Sequence, residues 1–299
     1  MKKSLALVVA TTAALALSAC SSSDSDPGGA ATGTVAVVTS TNVYGDIAAQ
    51  VGGDLVHVTA IIDDPSADPH SYEASAQTQL ALSRAALVVE NGGGYDDFVD
   101  TMLDAISTEP VVVNAVEVSG KDTGGDLNEH VWYDFPTVRA LAGTIADELS
   151  SIDADNAATY AANATAFQAK VDDLIAETDA IKAEHAGAGV AITEPVPLYL
   201  LENAGLVNKT PEAFSEAIEE ETDVPPAALK DTIALFSSHA VDALVYNSQT
   251  TGTETERVLS AAKDAGVPVV PVTETMPEGR DYVSWMTANI DAVRSALAS

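Results

Sequence analysis

The sequence predicts an α/β protein of two lobes, each with a parallel-type sheet flanked by helices, joined by one long connecting helix. Short runs of β-branched residues alternate with Ala-rich segments of helical spacing, which is the pattern of parallel strands covered by helices. The alternation is interrupted once, between residues 136 and 185, where no strand pattern occurs. With 299 residues, the chain is long enough for two domains.

The elements follow in chain order. In the first lobe, strands are expected at residues 35–39, 56–62, 86–90 and 111–115. In the second lobe, strands are expected at residues 190–193, 243–246 and 267–272. Helices are expected at residues 44–51, 74–83, 95–106 and 254–265.

The glycines Gly92 to Gly94 join a strand to a helix. Because Asp96 would repel a phosphate there, we interpret this segment as a tight turn rather than an anion site.

The interrupted region predicts the connecting helix at residues 155–186. Its apolar positions recur at helical spacing but not in strict heptads, which favours a connector over an autonomous coiled coil. Asp153 or Asp155 can cap its start, and Gly187 ends it. The first lobe is then expected at residues 34–154 and the second at 187–299.

The N-terminus predicts export and membrane anchoring. Lys2 and Lys3 precede an apolar stretch that is too short to span a membrane, so residues 1–19 are expected to be a signal peptide. The residues before Cys20 resemble a bacterial lipobox, whose Cys is lipidated, and residues 20–33 are expected to form the lipidated Cys and a flexible tether. We therefore expect an extracytoplasmic protein anchored to the cell membrane by its N-terminal lipid.

Charge and cysteine content exclude several classes of function. The chain has 13 Lys and Arg against 45 Asp and Glu, a net charge of −32, which would repel a phosphate backbone and excludes nucleic acid as a partner. The single Cys excludes a disulfide framework and every multi-thiolate metal site. Imidazole and oxygen ligands remain as the route to a transition metal.

Four residues are candidates for such chemistry. His70 lies in a Pro-constrained segment that follows a predicted strand, and His130 lies in a loop before the long helical region. Glu194 and Glu274 each follow a predicted strand of the second lobe, although a solvated carboxylate is an open alternative for either in so acidic a chain. Parallel sheets bind ligands beyond the carboxyl ends of their strands, so these side chains are placed to bind one.

These segments, in this order, resemble the metal-specific solute-binding lipoproteins of ABC importers, the zinc/manganese receptor family with the TroA-like fold. The resemblance rests on the lipobox, the long helix and the segments at residues 68–73, 129–136, 192–200 and 267–279. It implies that a metal is held in the inter-lobe cleft by His70, His130, Glu194 and Glu274. The family more usually has Asp at the fourth position, which leaves a neighbour of Glu274 open as the ligand. Residues that could support the ligands are Glu73, Tyr246 and Asn247.

The resemblance also implies a function. It predicts a receptor, not an enzyme, that binds Mn²⁺ or Zn²⁺ as its transported ligand and passes it to an ABC permease. Two carboxylate ligands, and a segment before His130 that contains no His, favour Mn²⁺ over Zn²⁺. We expect a monomer. A surface metallohydrolase that uses the same His and Glu residues, and an adhesion module stabilised by metal, are the alternatives.

Overall fold

The computed structural model describes residues 33–64, 72, 75–121 and 127–299. It contains two four-stranded sheets in which every pairing is parallel, so the predicted two-lobed α/β fold is confirmed. The first sheet has the order β2-β1-β3-β4 and consists of β1 (Val35–Thr41), β2 (Val56–Ile62), β3 (Leu87–Glu90) and β4 (Val111–Asn114). The second has the order β6-β5-β7-β8 and consists of β5 (Gly189–Ile192), β6 (Val207–Asn208), β7 (Ala243–Asn247) and β8 (Val269–Val272).

The two sheets share one topology although the sequence shows no internal repeat. In each sheet, the first strand of the lobe lies between the second and the third. The chain therefore adds the second strand on one side of the first strand and the third strand on its other side, so the strand order reverses next to the first strand. Val37 pairs with Val58 on one side and with Leu87 on the other, and Ile192 pairs with Val245 in the second lobe. Such a reversal opens a crevice at the carboxyl ends of the strands, where open α/β sheets bind their ligands.

Helices cover both faces of the sheets. The first lobe has α1 (Asn42–Gly52), α2 (Ala76–Leu82), α3 (Phe98–Asp104), α4 (Ala115–Ser119) and α5 (Phe135–Ile152). The connection and the second lobe have α6 (Ala157–His185), α7 (Leu198–Asn203), α8 (Glu212–Glu219), α9 (Pro226–Ser237), α10 (Thr253–Asp264) and α11 (Tyr282–Leu297). Short 3₁₀ turns lie at Gly53–Leu55, Val131–Tyr133 and Ala154–Asn156.

The long helix α6 joins the lobes. Its 29 residues span about 43 Å, and it packs against α1 and α5 of the first lobe and against α7 and α11 of the second. We expected the apolar positions of this helix not to follow a heptad repeat. For the buried face this expectation was wrong, because successive buried residues are separated alternately by four and by three positions. Those residues are Tyr160, Ala164, Phe167, Val171, Leu174, Thr178 and Ile181. Asp153 does not cap the helix; its carboxylate instead accepts hydrogen bonds from Asn156 and Tyr160.

One continuous hydrophobic core runs through both lobes. It joins Val89 of the first sheet, Phe167 of α6, Ile192 of the second sheet and Trp285 of α11. Two smaller clusters lie under other helices, one around Met102 in the first lobe and the other in the second lobe. Relative motion of two units is restricted when the interface between them is large and apolar, so the shared core favours a nearly fixed arrangement of the lobes.

The glycine turn after β3 has the conformation that the sequence predicts. Gly92 has a φ of +76°, and a Cβ at this position would lie 2.1 Å from Nδ2 of Asn114, so only glycine fits. The carboxylate of Asp96 accepts hydrogen bonds from the backbone N–H groups of Asn91 (2.6 Å) and Gly92 (2.7 Å). The carboxylate of Asp96 thus occupies the backbone N–H groups that a bound anion would need. This confirms that the glycine segment is a tight turn and not an anion site.

Several sequence predictions lie outside the described residues. These are the signal peptide, Cys20 and nearly all of the tether, together with His70 and Glu73. Within the described part of the chain, no helix combines the length and apolar character needed to cross a membrane.

Candidate metal centre

His130 lies at the junction of the two lobes, immediately before the 3₁₀ turn Val131–Tyr133. Its side chain is fully buried and packs between aromatic rings, with ring centroids 5.0 Å from Trp132 and 5.9 Å from Tyr95. The 3₁₀ turn and the helix α5 behind it fix the backbone, and Trp132 and Tyr133 anchor the turn in the core. The imidazole is therefore held in a largely dry position.

Asn128 sets the tautomer of His130. The Nδ2 group of Asn128 donates to the carbonyl oxygen of Pro195 (3.1 Å), which can only accept, so Oδ1 faces the imidazole. Oδ1 accepts from Nδ1 of His130 at 2.8 Å and from its backbone N–H at 3.2 Å. With its proton on Nδ1, a neutral imidazole presents the lone pair of Nε2, which makes no hydrogen bond within the described residues. This is the tautomer that a metal ligand requires.

Glu194 follows β5 and is an acid with a strongly perturbed pKa. Its side chain is 2% exposed, and Oε2 has no hydrogen-bond partner among the described residues. Burial raises the pKa of Glu194 to about 8, with further increases from the carboxylates of Glu219 and Glu274, while Asn247 and Thr250 lower it by hydrogen bonding. Three carboxylates thus repel one another in a buried space, an arrangement that a divalent cation would neutralise.

Glu274 follows β8 and is held from both lobes. Its Oε1 accepts from Nδ2 of Asn247 at 2.9 Å, and its Oε2 accepts from the hydroxyl of Tyr95 in the first lobe at 3.4 Å. Gln249 accepts from the backbone N–H groups of Glu274 and Thr275 through Oε1, which fixes the loop. The carboxylate is therefore oriented before any ligand binds.

The candidate supporting residues differ in their surroundings. Asn247, at the end of β7, donates through Nδ2 to Oε1 of Glu274 and also lowers the pKa of Glu194, so its amide lies beside both carboxylates. Tyr246 instead belongs to the second-lobe hydrophobic cluster. Of the two, Asn247 is the one placed to orient the acids.

The structure brings an unexpected acid to His130. The Nε2 atom of His130 lies 3.4 Å from Oε1 of Glu219, the last residue of α8. Within the part of the chain that the structure describes, only Glu129, His130 and Glu219 form a group of three potential metal ligands whose ligand atoms all lie within 4.8 Å of one another. Glu194 and Glu274 do not join His130 in so tight a group. Neither Glu129 nor Glu219 was predicted, because Glu219 belongs to an acidic run that resembles a solvated helix end.

An acidic cleft of about 410 Å³ leads to this group. The first lobe lines it through residues 127–129, and the second lobe through Pro195, Leu198 and α8. Its lining includes the carboxylates of Glu129, Glu212, Glu216, Glu219 and Glu220. A cleft with charges of one sign concentrates counter-ions, so this one favours entry of cations.

Two hydrogen bonds join the lobes next to the candidate site. The hydroxyl of Tyr282 donates to the carbonyl oxygen of Trp132 (2.6 Å). The hydroxyl of Tyr133 donates to the backbone carbonyl oxygen of Thr273 (2.7 Å). Because Trp132 follows the His130 loop and Thr273 precedes Glu274, these bonds fix the distance between the two halves of the site.

The fold and the site together define a two-lobed binding protein whose cleft offers imidazole and carboxylate ligands to a divalent cation. The chain belongs to the family described as ZnuA, the periplasmic component A of the zinc-uptake complex, which it matches over residues 37–296. This confirms the family that the sequence motifs predicted.

Individual relatives support the same assignment. The chain is 25% identical over 320 residues to the manganese ABC transporter substrate-binding lipoprotein scaA of Streptococcus gordonii, with 100% of both chains covered. Its fold matches that of FpvC from Pseudomonas aeruginosa, solved in complex with Mn²⁺, with a TM-score of 0.72 and 22% identity over 88% of this chain and 98% of FpvC. It also matches the periplasmic zinc-binding protein TroA of Treponema pallidum, with a TM-score of 0.72 and 20% identity over 89% of this chain and 100% of TroA. The sequence relative is named a substrate-binding protein of an ABC transporter, so the prediction of a binding protein rather than an enzyme is confirmed.

Proposed function

We propose that the protein is an extracytoplasmic receptor, anchored by a lipid on Cys20, that binds a divalent transition metal and delivers it to an ABC permease. The observation that carries the proposal is the buried imidazole of His130, whose Nε2 atom lies 3.4 Å from a carboxylate oxygen of Glu219, which lines an acidic inter-lobe cleft. Neutral imidazole together with carboxylates is a donor set for a divalent transition metal.

The proposed ligands are His70 and His130 from the first lobe and Glu194 and Glu274 from the second. Two carboxylates balance the charge of a divalent ion, and their burial lowers the dielectric around it. Because each lobe contributes ligands, the bound ion bridges the cleft, and the bridged form is the state that a permease can recognise.

Mn²⁺ is the proposed physiological ion, with Zn²⁺ as the competitor. Carboxylate oxygens suit Mn²⁺, whereas an N/O site in general binds Zn²⁺ more tightly, so selectivity has to come from geometry and coordination number. The relative from Streptococcus gordonii is named a manganese ABC transporter substrate-binding lipoprotein, which supports this choice, whereas TroA is named a zinc-binding protein.

Metal binding by the mature chain with Cys20→Ser tests the proposal. We expect one equivalent of Mn²⁺ or Zn²⁺ to bind and to raise the melting temperature, because a ligand that binds only the folded state stabilises it. Alanine at His70, His130, Glu194 or Glu274 should abolish or strongly weaken that effect. His57→Ala is the matched control, since this His lies exposed on β2. Unchanged affinity in all four ligand variants would show that the site is wrong.

Membrane association tests the anchor separately. We expect the chain to sediment with membranes when expressed in a bacterium that processes lipoproteins, and Cys20→Ser to release it. The relative named above is called a lipoprotein, which supports the proposal. In solution the released protein should behave as a monomer. Membrane retention of Cys20→Ser would argue against lipid anchoring.

A further inference from the structure

The carboxylate of Glu219 reaches from the second lobe to the imidazole of His130 in the first. Glu219 is the last residue of α8, and its Oε1 lies 3.4 Å from Nε2 of His130. Glu129 completes a group in which one ligand atom of each residue lies within 4.8 Å of the others. This contact joins the two lobes, so the end of α8 lies beside His130.

The geometry of the contact differs from that of a hydrogen bond. Asn128 receives the Nδ1 proton of His130, and the fully buried Nε2 forms no hydrogen bond along its contact with Glu219. The Nε2 atom of the imidazole and an oxygen of the Glu219 carboxylate therefore approach each other without a hydrogen bond between them. Two ligands of one ion, each about 2.1 Å from it, lie about 3.0 Å apart in an octahedral arrangement and about 3.4 Å apart in a tetrahedral one. The spacing of 3.4 Å in the metal-free protein is that of a tetrahedral pair, and an octahedral ion such as Mn²⁺ would draw the two atoms about 0.4 Å closer together.

The end of α8 is also electrostatically suited to a cation. Glu219, Glu220 and Glu221 follow one another where the helix carbonyl groups concentrate negative potential, so their charges disfavour the helix. Glu221 has a φ of +51°, and Thr222 N–H donates to the carbonyl oxygen of Ala217, which ends the helix sharply at this point. A divalent ion bound to Glu219 would offset the helix dipole as well as the carboxylate charge.

We propose that Glu219 is a direct ligand of the transported ion and that it favours Mn²⁺ over Zn²⁺. The inference rests on the proposed function and adds a ligand from α8 to the set given there. A further carboxylate raises the coordination number beyond the four that structural Zn²⁺ sites use, and Mn²⁺ accepts the larger number of oxygen ligands.

Paired charge-neutralising variants test the ligand role. Glu219→Gln should weaken Mn²⁺ binding by about 10-fold or more, as loss of a group beside a metal does, and weaken Zn²⁺ binding less. Glu109→Gln removes the same charge at an exposed position outside the lining of the cleft and should leave both affinities within about two-fold of wild type. Equal effects of the two variants on Mn²⁺, whether large or negligible, would overturn the ligand role. An equal loss for both ions in Glu219→Gln would overturn the selectivity role.

Thiolate substitution gives a spectroscopic readout of direct coordination. In the Cys20→Ser background the chain has no other thiol, so Glu219→Cys introduces one sulfur ligand. We expect its Co²⁺ complex to show a thiolate-to-metal charge-transfer band in the near ultraviolet, and that of Glu109→Cys, an exposed position outside the cleft lining, to lack it. A band of equal strength in Glu109→Cys would overturn the inference, because the thiolate would then report a site other than the cleft.

Two comparisons separate this inference from the proposed function. If His130→Ala loses Mn²⁺ while Glu219→Gln keeps wild-type affinity, the inference fails and the proposed function stands. If the wild-type chain binds neither Mn²⁺ nor Zn²⁺, both fail. Melting temperatures of the metal-free variants check that each remains folded.

Discussion

Replacing Asn128 by alanine should weaken metal binding although Asn128 is not a ligand. The side chain makes three hydrogen bonds, from Nδ1 and the backbone N–H of His130 and to the carbonyl oxygen of Pro195. Without them the imidazole can rotate or carry its proton on Nε2, and the loop that follows Glu194 loses its bond to the first lobe. Loss of such an orienting partner costs 10- to 100-fold in metal affinity, which is about 1.4 to 2.7 kcal/mol.

The same substitution should also destabilise the metal-free protein. At about 1 kcal/mol for each hydrogen bond, the three bonds of Asn128 predict a loss of about 2 to 3 kcal/mol in the free energy of unfolding. Isothermal titration with Mn²⁺ and urea denaturation measure the two effects. Asn128→Asp is the informative control, because it keeps an acceptor for His130 Nδ1 but loses the donor to Pro195.

We expect Asn128→Asp to retain metal affinity better than Asn128→Ala while losing stability. The reasoning is refuted if Asn128→Ala binds Mn²⁺ within two-fold of wild type, or if the two variants lose affinity equally.

Three further predictions concern pH dependence, the lobe junction and the glycine turn. In the metal-free protein, stability should fall as pH rises from about 5 to 8, because folded Glu194 holds a proton that unfolded Glu194 releases near its usual pKa of 4.5. Glu194→Gln should flatten this slope in urea unfolding measurements. Tyr282→Phe should lower the free energy of unfolding by about 1 to 3 kcal/mol in urea unfolding measurements, by leaving the carbonyl oxygen of Trp132 without its donor. Gly92→Ala should cost about 2 to 3 kcal/mol in urea unfolding, from its positive φ and the clash with Asn114.

For each of these predictions, one result would contradict the reasoning. A pH slope that persists in Glu194→Gln would place the responsible proton elsewhere. Tyr282→Phe with wild-type stability would show that its hydrogen bond contributes nothing net. Gly94→Ala is the control for the turn, since it has a φ of +97° but no atom within 4 Å of the added Cβ. Equal losses for Gly92→Ala and Gly94→Ala would refute the role of the clash.

The sequence predicts the strands well where they are buried and β-branched. The runs around Val37, Val88 and Val245 are central strands, and their composition reflects burial on both faces. The strand β6 was missed because it has two residues at a sheet edge, which is too short for a periodic signal. The heptad spacing of α6 was missed because Thr178, a polar residue, occupies one buried position.

Only some residues of the candidate site could be predicted from the sequence. Glu194 and Glu274 could be singled out because each follows an apolar strand, and the position of Asn247 at the end of β7 follows from the same pattern. Glu219 could not be found in this way. Its neighbours are acidic, and only the packing of α8 against the loop of His130 separates it from Glu220, which faces solvent.

A crystal structure of the Mn²⁺-bound protein, with anomalous scattering recorded for manganese, tests the central claim most directly. The account predicts a single strong anomalous peak in the inter-lobe cleft, at a coordination distance of about 2 Å from Nε2 of His130, with carboxylate oxygens of the second lobe completing the shell. A manganese peak that lies elsewhere, or one in the cleft that His130 does not contact, would contradict it.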